Sequence, residues 1–185
     1  MTIRSLSLGA ALLAALATLP LAAQTPSAPP TPGPELGQLA FFAGDWTCKG
    51  QVEATPMGPA HATQAKVKIH KDLGGFWYVG HYAEAKGAKN PQPMSFQFVM
   101  GYDPAGKSLT MDGFDVFGGR SHQKASGWQD AKLIFEGDSA GGGQTTPARD
   151  TFTKKSDSSL EHLGEMQLDG KWVQIDKETC TRAKK

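Results

Sequence analysis

The chain is poor in cysteine, carries no surplus of either charge, and has no long apolar run beyond its first two dozen residues. Cys48 and Cys180 are its only two cysteines in 185 residues, too few for a cysteine-rich metal centre or a multiply bridged scaffold. Nineteen basic against 18 acidic residues leave a formal net charge of +1. No segment forms a basic stripe, so no nucleic-acid partner is expected. No window shows a long helical period; "ELGQLAFF" supplies one short helical turn. The glycine-rich stretch "DSAGGGQTTP", residues 138–147, lacks the Gly-Lys-Ser/Thr of a phosphate loop and reads as a rim loop. Ser121 and His122 have no third partner at a recognisable spacing, so no triad is drawn from them. Asp112 and Asp115 in "MDGFDVFGGR" miss the calcium-loop spacing and read as turn residues. No metal and no cofactor are expected.

What is present begins with compartment. Arg4 is the only charge before the apolar run Leu6 to Leu21, "LSLGAALLAALATLPL". That run is short for a bilayer span and leads into the small-residue site "LAAQ". A signal peptide over residues 1–23, cleaved after Ala23, is the expectation. Gln24 follows, not the cysteine of a lipoprotein, so a secreted or periplasmic protein with no membrane span is expected. Losing Arg4 brings the net charge to zero. Residues 24–34, "QTPSAPPTPGP", hold five prolines and nothing apolar larger than alanine, the composition of an extended linker. Residues 35–185 then form a single domain.

Within that domain the apolar period is two. Trp46, Cys48, Gly50 and Val52 share one face of a first strand; Ala65, Val67 and Ile69 share one face of a second. Met94, Phe96, Phe98, Met100 and Tyr102 do the same in "MSFQFVMGYD". "SLTMDGFD", "AKLIFEGD", "DTFTKK", "LEHLGEMQL" and "KWVQIDKETC" continue the pattern. This is the half-buried antiparallel arrangement. Asp-Pro-Ala-Gly, Gln-Asp, Ser-Asp-Ser and Asp169-Gly170 punctuate the strands as tight turns. About ten strands with short connections make a meander, and closure into a barrel removes both of its exposed edges. A two-sheet sandwich would need longer Greek-key loops.

Cys48 lies near the start of the first strand and Cys180 near the end of the last. In an up-and-down barrel those positions are neighbours. An oxidising compartment and a single possible pair point to a disulfide. A metal site would need further Cys or His nearby in sequence, and nucleophilic use would leave Cys180 unexplained.

"LAFFAGDWTCKG" carries a Gly-x-Trp entry to the first strand, preceded by a helical turn. "GGFWYV", "GYDPAGKSL", "MDGFD", "GWQDAKLIFEGD", "RDTFTKKSDSSLEHLGEMQLDGKW" and "ETCTR" follow in order. Together they resemble the secreted bacterial family of domain of unknown function 1579, whose fold is similar to lipocalins and fatty-acid-binding proteins. The resemblance covers nearly all of residues 35–182 and implies a calycin-like barrel. That family has no established catalytic residues to carry over. A related, nitrobindin-like barrel type binds haem through a histidine near the C-terminus; "WVQIDKETCTR" has none, so haem is not expected.

The inward faces hold the candidate binding residues. Met94, Met100, Met111 and Met166 fall on apolar faces with Phe96, Phe98, Phe135 and Phe152. Methionine adapts to varied apolar partners, and barrels of this size often enclose a cavity. His162 stands on the apolar face of "SLEHLGEMQLD", where an unpaired ring is unfavourable. Tyr78, Tyr82 and Asp176 are its candidate partners, and Gly164 is expected to leave open space beside it. Arg149 and Asp150 read as a surface ion pair, and Trp77, Trp128 and Trp172 as core or rim aromatics. A barrel binding a small apolar or lipid-like molecule is the first reading. The alternative is a hydrolase or isomerase using a buried histidine and carboxylate in the same pocket.

Overall fold

The computed structural model describes residues 29–55, 58–88 and 90–183. The expected signal peptide and most of the linker lie outside these residues. A 3-10 helix, Pro34–Phe42, leads into ten strands: β1 (Gly44–Val52), β2 (His61–Asp72), β3 (Trp77–Glu84), β4 (Ser95–Asp103) and β5 (Ser108–Asp115) form the first half. The second half is β6 (Arg120–Ala125), β7 (Lys132–Gly141), β8 (Gln144–Ser156), β9 (Ser159–Leu168) and β10 (Lys171–Arg182). Each strand pairs antiparallel with its sequence neighbours, and β1 pairs with β10, so the meander closes into a barrel with no free edge.

The turns follow their chemistry. Asp169 and Gly170, joining β9 to β10, take φ of 50° and 75°, as an Asp-Gly hairpin requires. Gly142 and Gly143 take 58° and 80°, and β7 and β8 stay paired up to Gly141 opposite Gln144. The stretch 138–147 is therefore two strand ends around a tight turn, not a rim loop. The rest of its residues continue the ladder because Thr145 and Thr146 suit a strand.

Cys48 and Cys180 face each other in register on β1 and β10 and form a disulfide, with Cα atoms 3.9 Å apart. The bridge spans 132 residues, which in the chain-entropy model stabilises the fold by up to about 4–5 kcal/mol. A disulfide fits an oxidising compartment. Among the described residues no helix is long and apolar enough to cross a membrane.

The two ends of the barrel differ. Where β1 begins and β10 finishes, the 3-10 helix buries Leu36, Leu39 and Phe42. Trp46 Nε1 donates to the Phe42 carbonyl at 2.8 Å, and Trp128 Nε1 donates to that of Gln38 at 2.9 Å. Phe42 stacks on Trp128 and meets Phe152 edge-on at 5.1 Å. Arg182 lies 4.2 Å over the Trp46 ring and donates to the carbonyls of Phe41 and Ala43. Leu109, Leu133, Phe135 and Leu160 are sealed beneath this plug. Among the described residues, the opposite end carries strand connections. Near it Phe96 and Phe98 stack at 5.8 Å, each ring covering a glycine, Gly113 and Gly80, that leaves no room for a Cβ.

Candidate polar site in the barrel interior

Six strands direct polar side chains to one interior region. The alternation of β9 turns His162 and Gly164 inward; β10 contributes Asp176 and Glu178, β8 Asp150, β6 Gln123, β3 Tyr82 and β2 Thr63. Register brings them together: His162 lies between Phe152 and Glu178, Gly164 between Asp150 and Asp176, and Gly50 between Thr63 and Glu178.

His162 is held from both sides. Its Nε2 is 2.7 Å from Asp150 Oδ1 and its Nδ1 3.1 Å from Asp176 Oδ2. Burial pulls its pKa down, but the Asp176 charge and its hydrogen bonds to both aspartates outweigh this and hold it well above the ordinary value. Both ring nitrogens face acceptors, as suits an imidazolium donating from each. Its ring centroid lies 4.9 Å from that of Phe152. Gln123 Nε2 donates to Asp150 Oδ2 at 2.6 Å, fixing that carboxylate. The Gln123 side chain is buried, and its Oε1 has no hydrogen-bond partner.

Glu178 is buried. Its Oε1 accepts from Thr63 Oγ1 at 2.6 Å and from Tyr82 Oη at 3.0 Å. Burial raises its pKa; the Thr63 hydrogen bond, the His162 charge and the Tyr82 hydrogen bond work against that rise. Burial first, and then the Glu178 charge, keep the Tyr82 phenol protonated.

A bulge in β10 between Gln174 and Asp176 shapes the rim of this region. Asp176 keeps the inward parity of Cys180 and Glu178, while residues before the bulge change face. Trp172 therefore stands outside, under the Arg149 guanidinium at 4.3 Å. Arg149 pairs with Glu165 at 2.8 Å, not with Asp150. The expected Arg149–Asp150 surface pair is thus corrected: successive strand residues face opposite sides, so Arg149 points out and Asp150 in. The expected open space at Gly164 is occupied by the Asp176 carboxylate. His122 does find a partner, Asp112 at 2.6 Å, on the exposed outer face. Asp115 caps its own turn, accepting from the Phe117 and Gly119 amides.

Of the sequence-predicted residues, His162, Tyr82 and Asp176 meet in one cluster. Phe96 and Met166 are half-buried on β4 and β9, and Phe98 is buried with the core. Tyr78, Met100, Met111 and Phe135 are buried in the packed core. Glu178, Gln123 and Thr63 were not singled out from sequence, and Asp150 was read only as half of a surface pair. Their parity with Phe152, Cys180, Ala125 and Ala65 on the same strands was the available signal. At the rim, a second pair forms between His61 Nε2 and Glu84 Oε1 at 3.2 Å, and Glu84 Oε2 accepts from the Met94 amide.

A family model described as Protein of unknown function (DUF1579) matches residues 31–182, and the chain belongs to that family. The barrel is similar to the crystal structure of Rv2717c from M. tuberculosis, with a TM-score of 0.63 and 11% identity over 83% of this chain and 99% of that one. At that identity the likeness shows a shared fold. No curated protein matches the chain.

Proposed function

We propose that the protein binds a small amphipathic molecule through the open end of the barrel. The ligand's apolar part lies against Phe96 and Met166, and its polar part against the cluster around His162. One observation carries this reading: charged side chains inside the barrel keep a path to solvent. The side chains of His162, Asp176 and Asp150 are 18%, 25% and 26% exposed, whereas Leu133 and Phe135 at the plugged end have no exposure. An apolar filling of the same volume is often as stable as a buried charge network or more so, so keeping one favours a role in recognition. The unpartnered Gln123 Oε1 is a further acceptor inside the barrel.

The enzyme alternative has less support. A general base needs a free nitrogen near its ordinary pKa, and His162 has both nitrogens engaged and a raised one.

Native mass spectrometry of protein purified from the periplasm should find a retained small molecule, and Phe96→Ala should reduce that occupancy several-fold. Protein that is wholly unliganded, and stays so after incubation with fatty acids and alkylamines of graded length, would sink the reading.

A further inference from the structure

The same cluster contains a donor set of a different kind. A ring nitrogen of His162 and carboxylate oxygens of Asp176 and Glu178 lie within 4.8 Å of one another, with Glu178 buried. The 3.1 Å between His162 Nδ1 and Asp176 Oδ2 is close to the roughly 3.3 Å edge of a tetrahedron with bonds of about 2.0 Å. We propose that His162, Asp176 and Glu178 bind a first-row divalent transition-metal cation inside the barrel, with Asp150 as the residue that positions the imidazole.

Charge and geometry agree. Two carboxylates and a neutral imidazole balance a doubly charged ion. Binding moves the Nδ1 proton to solvent and leaves Nε2–H donating to Asp150 Oδ1, the outer carboxylate that orients metal-bound histidines. Gln123 in turn fixes Asp150, so a chain of hydrogen bonds runs outward from the donor set. Thr63 and Tyr82 occupy only Oε1 of Glu178, so Oε2 remains for the ion. One imidazole with two carboxylates and no thiolate suits zinc, iron, cobalt or manganese; calcium prefers six to eight oxygens. Three protein ligands leave a coordination position open to the barrel mouth. The second observation is Gln123 Oε1, a buried acceptor without a donor on the same network. It suits a water or ligand hydroxyl held within that network.

The site rests on the donor atoms alone and stands whether or not an organic molecule occupies the barrel. Its test uses metal salts only. Untagged, disulfide-intact protein, stripped with chelator, should bind one Zn²⁺ per chain by titration calorimetry, Mn²⁺ more weakly, and Ca²⁺ weakest of all. Glu178→Gln and Asp176→Asn should each weaken Zn²⁺ at least tenfold; Asp150→Asn should weaken it about 10–100-fold. His122→Gln, which removes the outer His–Asp pair, should change nothing. Because the interior variants can misfold, two readouts are taken on the wild type. Co²⁺ should give visible absorption bands of a low-coordinate N/O site, and the nitrogen resonance of His162 Nδ1 should shift while its Nε2–H persists. Zn²⁺ binding no tighter than millimolar, or binding lost in His122→Gln and kept in Glu178→Gln, would overturn the proposal.

Discussion

The plugged and open halves of this barrel are built by the same ten strands and the same alternation, yet their interiors differ. Under the 3-10 helix, Leu39, Leu133, Phe135 and Leu160 are sealed, and the tryptophan N–H groups are satisfied by helix carbonyls. Toward the other end, the inward positions of β8, β9 and β10 become Asp150, His162, Asp176 and Glu178. The alternating pattern decides which way a side chain points, not what it does there. The plug excludes water from Leu109, Leu133 and Leu160, whereas Asp150, His162 and Asp176 keep access to solvent and Glu178 stays buried beside them.

The sharpest comparison is between two phenylalanines. Phe135→Ala, in the sealed half, should destabilise by about 3–5 kcal/mol, since transfer and cavity effects add. Phe96→Ala, on the half-buried wall toward the open end, should cost about 1–2 kcal/mol, with loss of burial and little cavity. Chemical denaturation of both variants checks this. Equal losses would mean that the open half is a packed core like the other.

Next in size is the seam both halves share. Replacing Cys48 and Cys180 together by alanine should lower stability by about 2–4 kcal/mol. One cooperative transition that moves to lower denaturant is expected. A split into two transitions would mean that the halves unfold separately and that β1–β10 closure alone couples them.

The architecture was legible because it depends on local signals. Alternation, Asp-Gly turns and two cysteines at opposite ends of the meander were enough for strand count, closure and disulfide. The site was less legible because it depends on register across strands far apart in sequence. Asp150 stood beside Arg149, and their adjacency hid that they face opposite sides. The outward face of Trp172 was not legible, since the β10 bulge that sets it has no side-chain signature. The glycine run at 138–147 read as a loop because two of its residues form a turn, while the rest only extend strands.

The smallest expected effect falls on the residue linking the two halves. Gln123 lies opposite Met111 on one side and Gly137 on the other, and is buried. Its amide does two opposing things. The Nε2 bond to Asp150 is a hydrogen bond to a charged group, worth about 1.5–3 kcal/mol. The unpartnered Oε1 costs about 1–3 kcal/mol of lost hydration. Gln123→Met keeps the volume and removes both, so stability should change by less than about 1 kcal/mol. Asp150 would meanwhile lose its fixed orientation, and Zn²⁺ affinity should fall several-fold. Thermal and chemical denaturation with metal-free protein measure the first effect, and calorimetric titration the second. A loss above about 2 kcal/mol would mean that Oε1 is satisfied in solution by a bound water. Unchanged Zn²⁺ affinity would cut Gln123 out of the network and leave it a core residue of the sealed half.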